Sequence, residues 1–215
     1  MNPTRLLRPV RGAALLLSLA FLTGCAGPYI TAITARNDFS VKDVAKARSA
    51  VLTTPVPVIT AFNMSYDNAY GTGDSLSRAI SQGIAREVGD SVMKAVPSSP
   101  ENETFMTALQ SDETAPYAPA RAFLAGLNVQ YLVHVRAVNV TQRFVYNYNG
   151  SSQTICMVIL NVEIWSTDTP RKLVAFTTTG ESSVFMFAFQ TALKNAVNNA
   201  AVRTGKYIKT GHPGP

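Results

Sequence analysis

The residues best placed to do chemistry fall into three groups. Cys25 closes the run Leu22-Thr23-Gly24-Cys25, where its thiol could carry a covalent group. His134 and Arg136 alternate with Val133 and Val135, while Asn161 and Glu163 alternate with Leu160 and Val162. Alternation puts each polar pair on one face of a strand, so Arg136 can meet Glu163 across a hairpin. Such a set could serve acid–base catalysis or form a cross-strand ion pair. With no nucleophile beside it, the ion pair is the better reading. The third group is aromatic: Phe144, Tyr146 and Tyr148 occupy alternate positions, and Phe185, Met186, Phe187 and Phe189 crowd a later segment. Aromatic rows left in water mark contact surfaces, whereas the same rows under a loop are ordinary packing. Phe185 and Phe189 suit the inner face of a helix, and Met186 and Phe187 are left to face another subunit, the bilayer or the core.

Other chemistries find no footing. His134, His212 and Cys156 are too scattered for a zinc site. Cys156 lies in an apolar run and reads as a buried, inert thiol. Gly71-Thr72-Gly73-Asp74 lacks the Gly-Lys-Ser/Thr of a phosphate loop, and Asp74 would repel an anion, so it reads as a turn ending in a helix cap. The expectation is a non-enzyme with neither metal nor cofactor.

Arg5, Arg8 and Arg11 precede an apolar run from Ala13 to Leu22, and small residues follow. That is a secretory signal, with a core about half the ~20 residues needed to span a bilayer. Leu22-Thr23-Gly24-Cys25 resembles the lipobox of bacterial lipoproteins. The resemblance implies that the Cys25 thiol takes up diacylglycerol, that the leader is then cleaved on its amino-terminal side, and that the new amino terminus is usually acylated as well. Two or three acyl chains at ~0.8 kcal/mol per buried methylene hold a protein to a membrane permanently. The next residue is Ala26 rather than Asp, which in that family implies sorting to the outer membrane.

Three of the 19 basic residues lie in the signal, leaving 16 against 13 acidic ones, a net charge of +3. No Lys/Arg run of the kind that binds nucleic acid occurs, so nucleic-acid partners are not expected. The processed chain of about 190 residues suits one domain.

Residues 1–24 are thus read as signal peptide, 25–38 as lipidated terminus and tether, 39–204 as one domain and 205–215 as a disordered tail. Ser40 and Asp43 resemble a capping box opening a helix to about Leu52. A strand over Val56–Met64 follows. Leu76, Ile80, Ile84, Val88, Val92 and Val96 recur every four residues and predict one long helix from Asp74. One or two shorter helices occupy residues 101–127. Two β runs, Val129–Tyr148 and Ser152–Trp165, flank Asn149-Gly150, the strongest short-range hairpin signal. A third run covers Lys172–Glu181, and a helix from Phe185 to Arg203 closes the domain, with Leu193, Val197 and Ala200 inward. Together these predict an α/β (α+β) sandwich: a mixed or mostly antiparallel sheet of about four strands, with helices mainly on one face.

The element pattern over residues 56–203 resembles a group of bacterial envelope lipoproteins that includes penicillin-binding-protein activators of the LpoB type, polysaccharide-export lipoproteins of the PelC type and the globular part of the curli secretion channel subunit. The strand Pro57–Met64, the helix from Asp74, the run Leu127–Val133 and the pair Val162–Trp165 and Leu173–Phe176 carry it. The chain lacks the long Pro-rich spacer of the synthase activators and the length for added pore hairpins. Only Cys25 inherits a role. The functional expectation is a lipid-anchored outer-membrane lipoprotein facing the periplasm, whose partners are the membrane, envelope proteins and copies of itself. The alternative is a module that binds cell-wall glycan or lipid, or a weak hydrolase, using the aromatic hairpin with His134 and Glu163.

Overall fold

β-Branched and aromatic runs build three long antiparallel strands in a computed structural model of the chain: β5 (Tyr131–Tyr146), β6 (Ser152–Ser166) and β7 (Arg171–Ser183). The structure describes residues 29–54, 59–60, 70, 73–99, 101–102, 118–146, 150, 152–169, 171–184 and 188–214. Cys25, Tyr148, Phe185, Met186 and Phe187 lie outside them, as do the signal segment and residues 103–117. Gly150 adopts φ +78°, the left-handed backbone that an Asn-Gly hairpin turn needs.

The sheet has seven strands rather than about four, in the order β1 (Ile30–Ala35), β7, β6, β5, β2 (Ser49–Thr53) and β4 (Met93–Ala95), with β3 (Ile59–Thr60) also on β5. The sheet is mixed: β1, β5, β6 and β7 pair antiparallel, while β2, β3 and β4 add parallel strands. Three of the unforeseen strands replace other expectations. Within the segment read as a tether, Ile30–Ala35 forms β1 on the edge of β7, because its β-branched residues pair well and Ile30 is buried. The expected helix over 40–52 is a single 3-10 turn at Val41–Asp43, and Ser40 makes no side-chain cap. It is followed by β2 (Ser49–Thr53), every residue of which is buried, because a short apolar run does not distinguish a helix from a strand covered on both faces. The long helix stops early as α1 (Gly73–Val88), since Gly89 at φ +128° ends it and Met93–Ala95 becomes β4. Of the expected first strand only β3 falls among the described residues.

Two long helices cover one face. From α1, Leu76, Ile80, Ile84 and Val88 meet Val51, Val133, Val158, Leu160 and Ile164 of the sheet. The second, α3 (Phe189–Thr210), adds Leu193, Ala196, Val197, Ala200 and Ile208. It runs six residues past Thr204, into what was read as a disordered tail, because Tyr207 packs edge-on to Phe176 at 4.8 Å and Ile208 is buried. Gly211, at φ +68°, closes it. The expected one-sided arrangement is incomplete: a short helix, α2 (Ala118–Gly126), lies over the other face, where Leu124 joins Ala50, Leu52, Leu132 and Trp165. Among the described residues no helix is long and apolar enough to cross a membrane.

A bulge between Val135 and Ala137 decides which way β5 points its side chains. Before it Val133 and Val135 face the helices; after it Val138 and Val140 do. One extra residue, Arg136, makes that switch.

Candidate functional site

Glu163, near the C-terminal end of β6, gathers charged and polar groups from three strands on the face away from α1 and α3. Its carboxylate is nearly buried, and its register partner on β5 is His134. His134 Nδ1 faces Glu163 Oε2 at 3.9 Å. Trp165 Nε1 donates to the same oxygen at 3.3 Å. Arg136 and Lys172 approach Oε1 at 3.5 and 3.8 Å, and the Lys172 ammonium lies 6.0 Å from the centre of the Trp165 ring. On the far side, His134 Nε2 lies 3.1 Å from the Thr54 hydroxyl.

The electrostatics follow from this geometry. Burial acts most strongly on His134 and lowers its pKa; Glu163 works against that and Arg136 adds to it, so the ring stays neutral at pH 7. For Glu163 burial raises the pKa, but His134, Lys172 and Arg136 together outweigh it and hold the carboxyl below its usual range. The pairing of Arg136 with Glu163 read from the alternation is therefore present. Thr54, Trp165 and Lys172 were not foreseen as its neighbours. Trp165 shares the face of Glu163 by alternation, which is a usable signal, whereas Lys172 and Thr54 arrive only through the turn after β6 and the parallel pairing of β2.

A cleft of about 210 Å³, bordered by Arg136, Asn161, Glu163 and Thr177, opens beside this cluster. His134 has no exposure, so it cannot exchange a proton with a molecule in that cleft unless the sheet opens. No group of three or more potential metal ligands occurs among the described residues. Cys156 is buried, and burial pushes its thiol up to about 11, so it is unreactive at neutral pH.

The aromatic residues are elsewhere. Phe144 and Tyr146, at the hairpin end of β5, are 54% and 79% exposed. The bulge at Arg136 places them on the face that carries Val138 and Val140. Eleven residues of β6 separate Ser152, opposite Tyr146, from Glu163, opposite His134, a distance of ~36 Å along an extended strand. The structure therefore does not bring the aromatic hairpin and the His134–Glu163 pair into one site. At the opposite end of the sheet from the hairpin, Lys46, Arg48, Asn128, Gln130 and Asp168 border an open cleft of about 670 Å³.

The chain matches no described protein family and no curated protein. Several solved structures resemble it. The PelC dodecamer from Paraburkholderia phytofirmans aligns with a TM-score of 0.40 at 11% identity, over 84% of this chain and 96% of that one. The hypothetical protein CT253 from Chlamydia trachomatis gives 0.41 at 11% identity, over 75% and 94%. The lipoprotein GNA1162 from Neisseria meningitidis gives 0.30 at 12% identity, over 71% and 96%.

Proposed function

We propose that this chain is a lipid-anchored lipoprotein of the bacterial outer membrane that faces the periplasm and serves an envelope assembly or export system without catalysis, by binding envelope proteins and copies of itself. The observation that carries the reading is Leu22-Thr23-Gly24-Cys25 behind a basic, apolar leader. Tyr29, only four residues after Cys25, is already hydrogen-bonded to β7, so lipid on that thiol would hold the folded part within ~14 Å of the membrane surface. A binding role rather than a hydrolytic one is supported by how the titratable groups are used. Glu163 is engaged by Trp165, Arg136 and Lys172, and His134 is sealed from solvent. The wide, mixed-charge cleft around Lys46, Arg48 and Asp168 offers a partner more surface than the small one beside Glu163.

Mass spectrometry of protein from its native host tests the anchor: the expected species begins at Cys25 and carries diacylglycerol, and Cys25→Ser leaves the leader attached. An unmodified Cys25 would refute it. A photo-crosslinker at Lys46 tests the binding role, with adducts to envelope proteins or to a second copy expected in cells. A strictly monomeric domain that yields no adduct would remove that part of the reading.

A further inference from the structure

The direction in which the anchored end leaves the sheet says which end of the domain meets the membrane. Strand β1 runs antiparallel to β7, with Ala35 opposite Val174 and Ile30 opposite Thr178. One residue earlier, the Tyr29 carbonyl accepts from the Thr179 amide at 3.0 Å. Followed backwards toward Cys25, the chain thus heads along rising β7 numbers, toward Ser183, which pairs with Ile155, which in turn pairs with Arg143. That is the end of the sheet from which the β5–β6 hairpin projects. The exit point is pinned: Arg203 donates to the Thr179 carbonyl at 2.6 Å, and its guanidinium stacks 3.3 Å from the centre of the Tyr29 ring.

Reach then decides the contact. Four residues from Tyr29 to Cys25 extend at most ~14 Å. Tyr29 is level with Thr179, Ile159 and Asn139, and from Asn139 to Tyr146 is seven residues of β5, ~23 Å. The hairpin end therefore projects beyond the farthest point Cys25 can reach along the same direction, by about 9 Å at full extension. That overhang matches the 5–10 Å depth at which amphipathic segments lie in the boundary between headgroups and acyl chains. What projects there has the chemistry for it: Phe144 and Tyr146 are the most exposed large aromatic side chains among the described residues. Tyrosine combines an apolar ring with a polar tip, as interfacial side chains do. Arg143, more than half exposed and partly balanced by Glu181 at 3.7 Å, stands at the phosphate level behind them.

We infer that Phe144 and Tyr146 at the hairpin end lie in the interfacial layer of the bilayer that holds Cys25, so that the sheet stands on the membrane at two points, lipid and hairpin. The cleft at Lys46 and Asp168, at the far end of the strands, then faces the periplasm. The inference rests on the reading that Cys25 is lipidated.

The test uses the full lipidated protein in vesicles of phosphatidylethanolamine and phosphatidylglycerol. A polarity-sensitive fluorophore is placed on Tyr146→Cys and, as the distal control, on Asp168→Cys; acylated Cys25 and buried Cys156 do not take the label. The expected result is emission from position 146 that is blue-shifted, quenched several-fold more by headgroup nitroxide lipid than emission from 168, and shielded from aqueous iodide. A label at 146 as wet as that at 168, on protein that still floats with the vesicles, would overturn the inference and leave the anchor intact. Shielding from iodide without quenching by nitroxide lipid would overturn it too, in favour of a second copy seated on the hairpin. Protein that fails to float and carries an unmodified Cys25 would refute the anchor itself and the inference with it.

Discussion

Gly180 is where α3 comes closest to the sheet, and replacing it with alanine tests the packing on which the whole two-layer arrangement depends. A Cβ on Gly180 would stand 2.7 Å from the Ala200 methyl and would overlap the Ala196 carbonyl oxygen and the Ala200 amide nitrogen. Carbon atoms in contact prefer ~3.5–4.0 Å, so α3 must lift by about 1 Å, and a gap of that size forfeits a quarter to a half of each affected contact. Two of the three obstructing atoms are backbone, so no rotamer change relieves them. Leu193, Val197 and Ile208, which pack on the same face of α3, lose contact with the sheet together. The cost belongs at or above the top of the usual overpacking range, about 3 kcal/mol. For a domain of this size that lowers Tm by roughly 6–12 °C at ~2–4 °C per kcal/mol. Gly126→Ala is the matched control: no atom lies within 4 Å of the added methyl, and Gly126 ends α2 without a left-handed φ. It should be neutral or stabilise by about 0.5–1 kcal/mol through the unfolded chain. Paired thermal and urea unfolding by circular dichroism reads both variants. A Gly180→Ala protein within about 1 kcal/mol of the parent would refute the close seating of α3 on β7.

Three further outcomes follow from the buried titratable groups. Because His134 has a lowered pKa in the fold, the unfolded chain takes up its proton first; stability is complete above the ordinary histidine value of 6.5 and declines as pH falls below it, a slope that His134→Gln should abolish in urea midpoints measured between pH 7 and 5. Replacing Glu163 with leucine strips the buried Trp165 N–H of its acceptor and leaves Lys172 and Arg136 facing an apolar group, so it should cost about 2 kcal/mol, read by unfolding and by the fluorescence of the chain's single tryptophan. Cys156, with its thiol pushed up to about 11, should resist a thiol reagent at pH 8 in the folded protein and react only in denaturant; rapid native labelling would contradict its burial.

Much of the central architecture was legible because its signals are local. Asn149-Gly150 between β-prone runs marks the hairpin, and the i, i+4 stripe from Leu76 to Val88 marks α1. The misread elements have equivocal local signals: Ser49–Thr53 is short and apolar enough for either helix or strand, and its assignment came from burial between β5 and β4. Val92 and Val96 continue the stripe of α1, but a single positive-φ glycine at 89 breaks it. The Arg136–Glu163 pairing followed from alternation alone, whereas Thr54 and Lys172 joined the same carboxylate and imidazole through pairings that no sequence window contains.

By itself the sequence determined local features: where the hairpin turns and which face of α1 is apolar. Each of these is a matter of neighbouring residues, and short-range sterics and periodicity suffice to specify them. Tertiary structure alone decided that Ile30–Ala35 joins the edge of β7, that the extra residue Arg136 turns Phe144 and Tyr146 onto the helix-side face, and that the start of β1 points toward the hairpin end of the sheet. Strand pairing and bulge register depend on contacts between separate segments of the chain, whose energies no local pattern encodes.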